Sequence, residues 1–272
     1  MITYMLLTKI EDKYKIKGFF QEFFYKVYSK ILDDSIWEHQ FIHSPYDDSP
    51  LFLAFDDKKI VGSALMIKHK ILLNNKIYNY YLFTTSAIDP NYRNKGVYLE
   101  LLNMQKKYAK DTKKDFILAF PNKIAYNAIK ILGGFKDVSQ EKIVKTNINN
   151  INLNSFCNHI IEDKEFLRWR FEHKNYNFIK IDEKILVVKK YKDSFDILSS
   201  LYIDSINNDV IPSNKFININ NLKSCHVLEK HTINKNLNQF INYYNATIYL
   251  INNKIDFNKN KMCINLLMSD VF

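Results

Sequence analysis

The chain has 272 residues, of which 47% are hydrophobic, and its formal net charge is +10. This hydrophobic content is ample for one large or two small buried cores, which excludes an intrinsically disordered protein. The longest apolar stretches, such as residues 60–67, are far shorter than the roughly 20 residues that cross a bilayer, so we expect no membrane span. Residues 1–9 lack the pattern of a signal peptide. We therefore predict a cytoplasmic protein.

The positive charge alone does not select a partner. It could attract nucleic acid, an anionic membrane or a polyanionic ligand, but the lysines are scattered and form no basic block. The phenylalanines of residues 19–24 follow the spacing of a buried helix face, so they do not indicate a stacking platform for nucleic acid. We therefore expect a small-molecule substrate and no nucleic acid, and the sequence does not indicate an oligomeric state.

The cysteine and histidine patterns do not indicate a metal site. Cys157, Cys225 and Cys263 are odd in number and widely spaced, which predicts buried free thiols and no disulfide framework. His39 and His43 are four residues apart, as zinc ligands on a helix are, but the HExxH arrangement is absent. We expect no metal.

The first half of the chain opens with a helix and three strands. Apolar residues recur at helical spacing over residues 16–31, and a second helical piece is predicted at residues 37–43. Strand-like runs follow at residues 51–55, 60–69 and 77–88. Because the turns between them are short, we predict an antiparallel meander.

The pattern then changes to alternating strands and helices. A glycine-containing loop after Asp89 and Pro90 leads into a helix with Val97, Leu101 and Tyr108 on one side. Residues 116–120 form a continuous apolar run that suits a buried parallel strand. A helix is predicted at residues 125–132 and a strand at residues 135–144. The predicted fold class is therefore α/β, with a mixed sheet.

A second unit is predicted after the Asn-rich stretch 147–154, which has the composition of a linker. The proposed domains are residues 1–146 and residues 153–272. The second unit contains predicted strands at 178–181, 185–190, 195–203, 246–251 and 262–267 and a predicted helix at 237–244. These strands resemble the first meander, so the unit is interpreted either as a degenerate second copy or as an unrelated α+β accessory domain.

The segment with the clearest chemistry lies between a strand and a helix, at residues 93–98. A helix that starts after a glycine loop presents unpaired N–H groups and the positive end of its dipole, which suit a pyrophosphate. Arg93 and Lys95 add positive charge, and Gly96 has no Cβ to obstruct a ligand. The alternative is an ordinary turn whose basic residues face water.

This segment resembles the cofactor motif of the GNAT acyltransferases, R/Q-x-x-G-x-G/A, which here reads Arg93, Asn94, Lys95, Gly96, Val97 and Tyr98. Phe120-Pro121-Asn122 and the stretch from Leu132 to Phe135 resemble the family's later "PN" and "lGF" elements. The hairpin 52–61 with Gly62 resembles its strand–turn–"ivG" element. The resemblance covers residues 16–146 and implies a GNAT fold for them. The second, smaller unit that follows is interpreted either as a degenerate GNAT-like domain or as an accessory substrate domain.

The resemblance also implies a cofactor, acetyl-CoA or a longer acyl-CoA, and a reaction, N-acyl transfer to a primary amine by direct attack. The loop amides from Asn94 to Tyr98 would bind the pyrophosphate, and Ala87, Ile88 and Asn122 would contact the pantetheine arm. The backbone N–H near Ile88 would stabilise the oxyanion that forms when the amine attacks.

The sequence departs from the family at two catalytic positions. Many members of the family have a tyrosine that acts as the general acid, but Ile129 and Lys130 occupy that position here. Tyr126, one helical turn earlier, is therefore a substitute candidate for the acid. Leu82 stands where many relatives have a carboxylate. Because Leu82, Thr84 and Ser86 would share a strand face, Thr84 and Ser86 are predicted to hold a water relay. The candidate bases are His69, His43 and Asp47. Tyr98 replaces a small residue and would either cover the site or pack in the core.

The second unit carries a clue to the acceptor. Arg168, Trp169 and Arg170 lie in an R-W-R-F element that resembles two-part GNAT enzymes of bacterial surface-polysaccharide synthesis, which acylate nucleotide-linked amino sugars. These residues would bind a diphosphate and a sugar or base. For the element itself, the alternative is an ordinary helix with a buried tryptophan and solvated arginines. For the function, one alternative is an acyltransferase whose acceptor amine belongs to a protein, a polyamine or an antibiotic. The other is a GNAT-like module that binds CoA or nucleic acid without catalysis.

Overall fold

The computed structural model describes residues 1–46, 49–73, 76–156, 164–172, 176–191, 194–203, 210–211, 213–218, 224–251 and 255. Five helices and eleven strands are assigned in these ranges. The helices are α1 (Ile10–Tyr28), α2 (Asp34–Trp37), α3 (Val97–Asp111), α4 (Lys123–Ile131) and α5 (Lys164–Glu172). The strands are β1 (Ile2–Leu7), β2 (Leu51–Asp56), β3 (Lys59–Leu73), β4 (Lys76–Ile88), β5 (Phe116–Ala119), β6 (Lys136–Thr146), β7 (Tyr176–Ile181), β8 (Lys184–Tyr191), β9 (Ser194–Tyr202), β10 (Cys225–Leu228) and β11 (Gln239–Leu250).

The eleven strands form one mixed sheet in the order β1-β2-β3-β4-β5-β11-β6-β10-β9-β8-β7. The predicted meander is confirmed, because β2, β3 and β4 pair antiparallel in sequence. The apolar run that follows is parallel to β4, as predicted, with Tyr80 opposite Phe116 and Phe83 opposite Ala119. The mixed α/β fold class predicted from the element order is therefore confirmed.

The second unit repeats this pairing pattern. Strands β7, β8 and β9 form an antiparallel meander, and β10 pairs parallel to β9, as β5 does to β4. The meander predicted for residues 178–203 is confirmed. This arrangement agrees with the interpretation of a degenerate copy.

Strand β11 connects the two units. It lies between β5 and β6, antiparallel to both, although its residues belong to the C-terminal part of the chain. A strand of the proposed domain 153–272 thus completes the sheet of the proposed domain 1–146. The boundary itself stays a prediction, but the two parts share one continuous sheet.

The helix predicted at residues 237–244 is wrong. The structure has a short 3-10 turn at Lys235–Leu237 and then β11. Leu237, Phe240, Ile241 and Tyr244 follow helical spacing in the sequence, but pairing of residues 239–244 with β6, continued by residues 247–250 between β5 and β6, determines the conformation. The strand predicted at 246–251 is the end of β11, and the one predicted at 262–267 lies outside the described residues.

The beginning of the chain also differs from the prediction. Residues Ile2–Leu7 form an edge strand that pairs with β2 and was not predicted. Helix α1 starts earlier than residue 16, with Glu11 and Asp12 in its first turn, where the helix dipole favours acidic residues. It ends at Ser29, which is left-handed (φ 51°). The piece predicted at 37–43 is divided between α2 and a π-helical turn at Glu38–Ile42.

The sheet has a core on each face. Helix α1 contributes Phe20 and Phe23 to the cluster that also contains Leu82, whereas α3 contributes Val97 and Leu101 to the cluster on the other face. Gly62 on β3 permits the second contact, because a Cβ there would lie 2.8 Å from a methyl group of Val97. Within the described ranges, no helix is long and apolar enough to span a bilayer.

Candidate active site

A cavity opens where β4 and β5 separate. Their parallel pairing ends at Phe83 and Ala119, and Pro121, which follows, has no backbone N–H with which to continue the ladder. The cavity has a volume of about 530 Å³. One wall comes from α1 and the segment after it, with Phe24, Tyr28, Lys30, Ile31, Leu32 and Ile36. The other walls come from residues 82–86 of β4, Tyr98 of α3, residues 119–122, and Ala125 and Ile129 of α4.

The predicted phosphate loop lies at the start of α3. Asn94 and Gly96 are both left-handed, with φ of 62° and 78°. The first helical hydrogen bond runs from Glu100 N to Gly96 O, so the amides of Val97, Tyr98 and Leu99 precede the helical ladder, as at any helix N-terminus. No atom lies within 4 Å of an added Cβ at Gly96. The loop therefore faces open space, as a ligand site requires.

The cationic side chains of the loop are exposed. Arg93 and Lys95 both face solvent, and the Lys95 ammonium lies 4.9 Å from the centre of the Tyr92 ring. The Tyr92 hydroxyl donates to Asp56 at 2.7 Å, which fixes the ring at the base of the loop. The Val97 side chain is buried in the core beneath α3, so only its backbone is available to a ligand.

Asp89 anchors the loop to α1. Its carboxylate is fully buried, accepts a hydrogen bond from Asn91 N at 3.1 Å, and pairs with Lys26 at 2.5 Å and Lys59 at 3.6 Å. Burial by itself would raise the pKa of Asp89, but the hydrogen bonds from Lys26 and Asn91 and the charges of Lys26 and Lys59 hold that pKa below its ordinary value. The carboxylate therefore stays ionised at the entrance to the loop.

Tyr98 connects the loop to the cavity. It is the last residue of the cofactor motif, and its half-buried ring lines the cavity wall. Burial raises the pKa of Tyr98 to about 12, so its hydroxyl is neutral at physiological pH. This agrees with the expectation that the ring covers part of the site.

Asn122 also lines the cavity, but its side chain caps α4. The Oδ1 atom accepts from Ile124 N at 3.1 Å and Ala125 N at 2.9 Å. A contact between Asn122 and the pantetheine arm stays a prediction, and it would use the groups of Asn122 that the cap does not occupy.

Strand β4 carries a β-bulge at the cavity. Ser63 pairs with Ala87 and Leu65 pairs with Thr84, so Thr85 and Ser86 together oppose Ala64. Thr85 is left-handed (φ 48°), a conformation that costs a β-branched residue about 1–3 kcal/mol. Residue Thr84 and both bulge residues line the cavity.

The bulge corrects the predicted arrangement of side chains on β4. Ala87 packs in the same core cluster as Leu82, whereas Ile88 packs in the cluster of the opposite face. The alternation therefore shifts by one residue, and Leu82, Thr84 and Ser86 do not share one face as predicted. Thr84 and Ser86 still both reach the cavity, while Ala87 and Ile88 lie between the cavity and the phosphate loop.

Tyr126 is not brought to the cavity. Its hydroxyl donates to Asp137 Oδ1 at 2.7 Å and accepts from Lys130 at 3.3 Å. The hydrogen bond to Asp137 raises the pKa of Tyr126. The geometry therefore argues against Tyr126 as the acid, because α4 directs Ala125 and Ile129 into the cavity and Tyr126 towards β6.

The three residues of the R-W-R-F element have different environments on α5. Trp169 is buried, donates from Nε1 to His39 O at 3.0 Å and stacks on the His39 ring. Arg170 is 0% exposed and lies over the rings of Phe166 and Trp169. Arg168 faces solvent. The structure thus brings only Arg168 to the surface, and the other two join α5 to the N-terminal part of the sheet.

The candidate bases are not assembled at the cavity either. His69 is buried against Tyr80 and Phe166, and burial, with a smaller effect of the Arg170 charge, lowers the pKa of His69 to about 3. His43 faces solvent beside Glu38, and Asp47 lies outside the described residues. In the part of the chain that the structure describes, no group of three His, Cys, Asp or Glu residues could hold a metal ion.

Sequence reasoning missed Tyr28 and Thr85. Tyr28 ends α1, lines the cavity, and donates from its hydroxyl to Ser86 O at 2.9 Å. The helical spacing placed the apolar face of α1 at other residues, and no local pattern marks a bulge at Thr85. The roles of Tyr28 and Thr85 in the site depend on the packing of α1 on β4, which the sequence pattern does not indicate.

The comparisons with known proteins agree with this geometry. Residues 9–130, which hold the meander, the loop and the cavity walls, match the acetyltransferase (GNAT) domain family. This part of the chain therefore carries an acetyltransferase (GNAT) domain. The resemblance of the loop motif to that family is therefore confirmed, whereas the amino-sugar specificity suggested by the R-W-R-F element is not part of this match.

Solved GNAT structures extend the fold likeness to nearly the whole chain. A probable N-acyltransferase from Enterococcus faecalis V583 superposes with a TM-score of 0.63 at 8% identity, over 93% of this chain and 73% of its own. A GCN5-related N-acetyltransferase from Anabaena variabilis ATCC 29413 has a TM-score of 0.57 at 8% identity, over 92% and 73%. At this identity the likeness supports the fold alone.

A sequence relative extends beyond the GNAT domain. A protein of Amsacta moorei entomopoxvirus, provisionally named glycylpeptide N-tetradecanoyltransferase, is 28% identical over 186 residues. The match spans 61% of this chain and 60% of that relative's length.

Proposed function

We propose that this protein transfers an acyl group from acyl-CoA to a primary amine in the cavity between β4 and β5. One observation carries the proposal: Tyr98, in the first turn of α3 and two residues after the left-handed Gly96, also lines the cavity wall. A ligand whose pyrophosphate binds the amides at the start of α3 can therefore extend its arm past Tyr98 to the bulge of β4.

The reaction requires few groups from the protein. The amine nitrogen attacks the thioester carbonyl carbon, the C–N bond forms, the C–S bond breaks, one proton leaves the amine and one goes to the thiolate. In our proposal, the backbone N–H of Ile88, which points away from β3, stabilises the oxyanion. The Thr84 hydroxyl holds a water that relays the amine proton towards solvent, since Thr84 lines the cavity, whereas the hydroxyl oxygen of Ser86 is buried.

The lining of the cavity favours an acyl group longer than acetyl. Phe24, Leu32, Leu82, Phe83 and Phe120 supply apolar walls beyond the polar bulge. Burial of an acyl chain against these walls contributes about 0.8 kcal/mol per methylene. The name of the viral relative, an N-tetradecanoyltransferase, supports the same choice.

For the acceptor we place a peptide N-terminal amine first. The name of the viral relative specifies a glycylpeptide. A nucleotide-linked amino sugar of surface-polysaccharide synthesis is the second candidate. Its support is reduced to Arg168, because the buried Trp169 and Arg170 would have to leave the core to contact an acceptor.

The test is a turnover assay on the full chain, with release of CoA thiol as the readout. Acetyl-, octanoyl- and tetradecanoyl-CoA are each paired with a glycine-terminated peptide, a UDP- or dTDP-linked amino sugar, and a polyamine. We expect turnover with the peptide and a preference for the longer acyl chains. Turnover restricted to the amino sugar would support the second candidate, and no turnover with any pair would contradict the proposed function.

A further inference from the structure

The bulge of β4 is held by a contact from another element. Thr85 is left-handed, a conformation unfavourable for a β-branched residue, so the surrounding structure must maintain it. Within β4 the bulge has only a weak side-chain contact, Thr84 Oγ1 to Thr85 Oγ1 at 3.3 Å. The Tyr28 hydroxyl, from the last turn of α1, donates to the carbonyl oxygen of Ser86 at 2.9 Å.

A second contact from the same helix turn lies on the other side of the site. Lys26, two residues before Tyr28, pairs with the buried carboxylate of Asp89. Tyr28 therefore holds β4 at residue 86 and Lys26 holds it at residue 89. The two contacts bracket Ile88, whose backbone N–H points away from β3 and is the oxyanion donor in the proposed function.

We propose that Tyr28 is a positioning residue for catalysis. By fixing the carbonyl of Ser86, its hydroxyl sets the orientation of the following peptide groups and so aligns the Ile88 N–H with the thioester. Burial keeps this hydroxyl neutral and able to donate, since the pKa of Tyr28 is raised. The inference rests on the proposed function, because alignment matters only if an oxyanion forms there.

The test compares Tyr28→Phe with Tyr25→Phe in the acyl-transfer assay. Tyr28→Phe removes only the hydroxyl and keeps the ring in contact with Phe24, whose ring centre lies 4.6 Å from that of Tyr28. Tyr25 lies on the same helix, is 59% exposed and serves as the matched control. We expect Tyr28→Phe to lower kcat about tenfold, as loss of one aligning hydrogen bond would, with the KM for acyl-CoA changed by less than about twofold. Tyr25→Phe should change neither constant.

A double-mutant cycle separates positioning from general stability. Thr85→Gly removes the conformational strain of the bulge, so the added loss from Tyr28→Phe should be much smaller in that background. Thermal unfolding of each variant confirms that it is folded. If wild type turns over, any of three results would overturn the inference. These are an unchanged kcat in Tyr28→Phe, a raised KM with no loss of kcat, and a double variant whose fold-loss in kcat equals the product of the two single losses. Absence of wild-type turnover would instead contradict the proposed function, and the inference with it.

Discussion

The ammonium of Lys26 lies 2.5 Å from the carboxylate of Asp89, and this contact joins the last turn of α1 to the turn that precedes the phosphate loop. The carboxylate is fully buried, and Asn91 N and Lys59 also face it. Helix α1 and the loop are therefore fixed relative to one another before any ligand binds.

We expect Asp89→Asn to lower the free energy of unfolding by about 1.5–3 kcal/mol near neutral pH, since it removes the charge that these hydrogen bonds stabilise. The pKa of Asp89 is lowered in the folded state, so its contribution is complete above the unfolded value of about 3.9 and is lost as pH falls below it. Urea denaturation at neutral pH and at pH 3 measures both effects. Asp57→Asn, at an exposed turn, is the control, and a variant as stable as wild type would refute the role of Asp89.

A second prediction concerns the interior beside α5. Burial lowers the pKa of His69 to about 3, below the unfolded value of about 6.5, so the unfolded chain gains a proton first as pH falls. His69 therefore contributes stability above pH 6.5 that is progressively lost towards pH 3. Between pH 7 and pH 4, wild type should lose about 2–3 kcal/mol more than His69→Phe. The control is His43→Phe, at an exposed histidine, whose free energy of unfolding should depend on pH as that of wild type does. If wild type and His69→Phe lose the same free energy of unfolding between pH 7 and pH 4, His69 does not titrate in this way.

The two arginines of the R-W-R-F element should separate in function. Arg168 is exposed, so Arg168→Ala should leave stability unchanged and raise the acceptor KM only if the acceptor is an amino sugar with a diphosphate. Arg170 is fully buried, so Arg170→Ala should lower the free energy of unfolding by more than about 2 kcal/mol. Steady-state kinetics and thermal unfolding of both variants provide the measurements. A stable Arg170→Ala protein with a raised acceptor KM would restore the predicted acceptor role.

The shared sheet leads to a prediction about the two halves. Deleting residues 147–272 removes β10 and β11 and leaves β5 and β6 with open edges. We expect the fragment 1–146 to aggregate or to unfold without a cooperative transition, whereas the full chain unfolds cooperatively. A monomeric fragment with a sharp transition would support two independently folded domains.

The sequence predicted those parts of the site that are local in the chain. The loop from Arg93 to Tyr98 carries its own signal, because the glycine, the cations and the helix start are adjacent. The antiparallel meander of β2, β3 and β4 could also be predicted from the sequence, since short turns determine how neighbouring strands pair. The left-handed turns at Asn94 and Gly96 agree with this part of the prediction.

The parts that the sequence did not reveal depend on contacts distant in the chain. Residues 237–244 have a helical apolar spacing, yet residues 239–244 form part of β11 because they pair with β6, over 90 residues earlier in the chain. The bulge at Thr85 shifts the alternation of β4 by one residue, which no periodic pattern indicates. Trp169 and Arg170 had the composition of a ligand site, but α5 packs them against His39 and Phe166.

The central claim is that acyl-CoA binds at the loop from Arg93 to Tyr98, and calorimetry on Gly96→Glu tests it most directly. The substitution puts a bulkier residue at a left-handed position and a negative charge where the pyrophosphate would bind. Gly18→Glu adds the same side chain at an exposed glycine of α1, with no atom within 4 Å of the added Cβ. We predict that Gly96→Glu abolishes measurable binding of acyl-CoA while Gly18→Glu binds like wild type. Equal affinity in all three proteins would contradict the account.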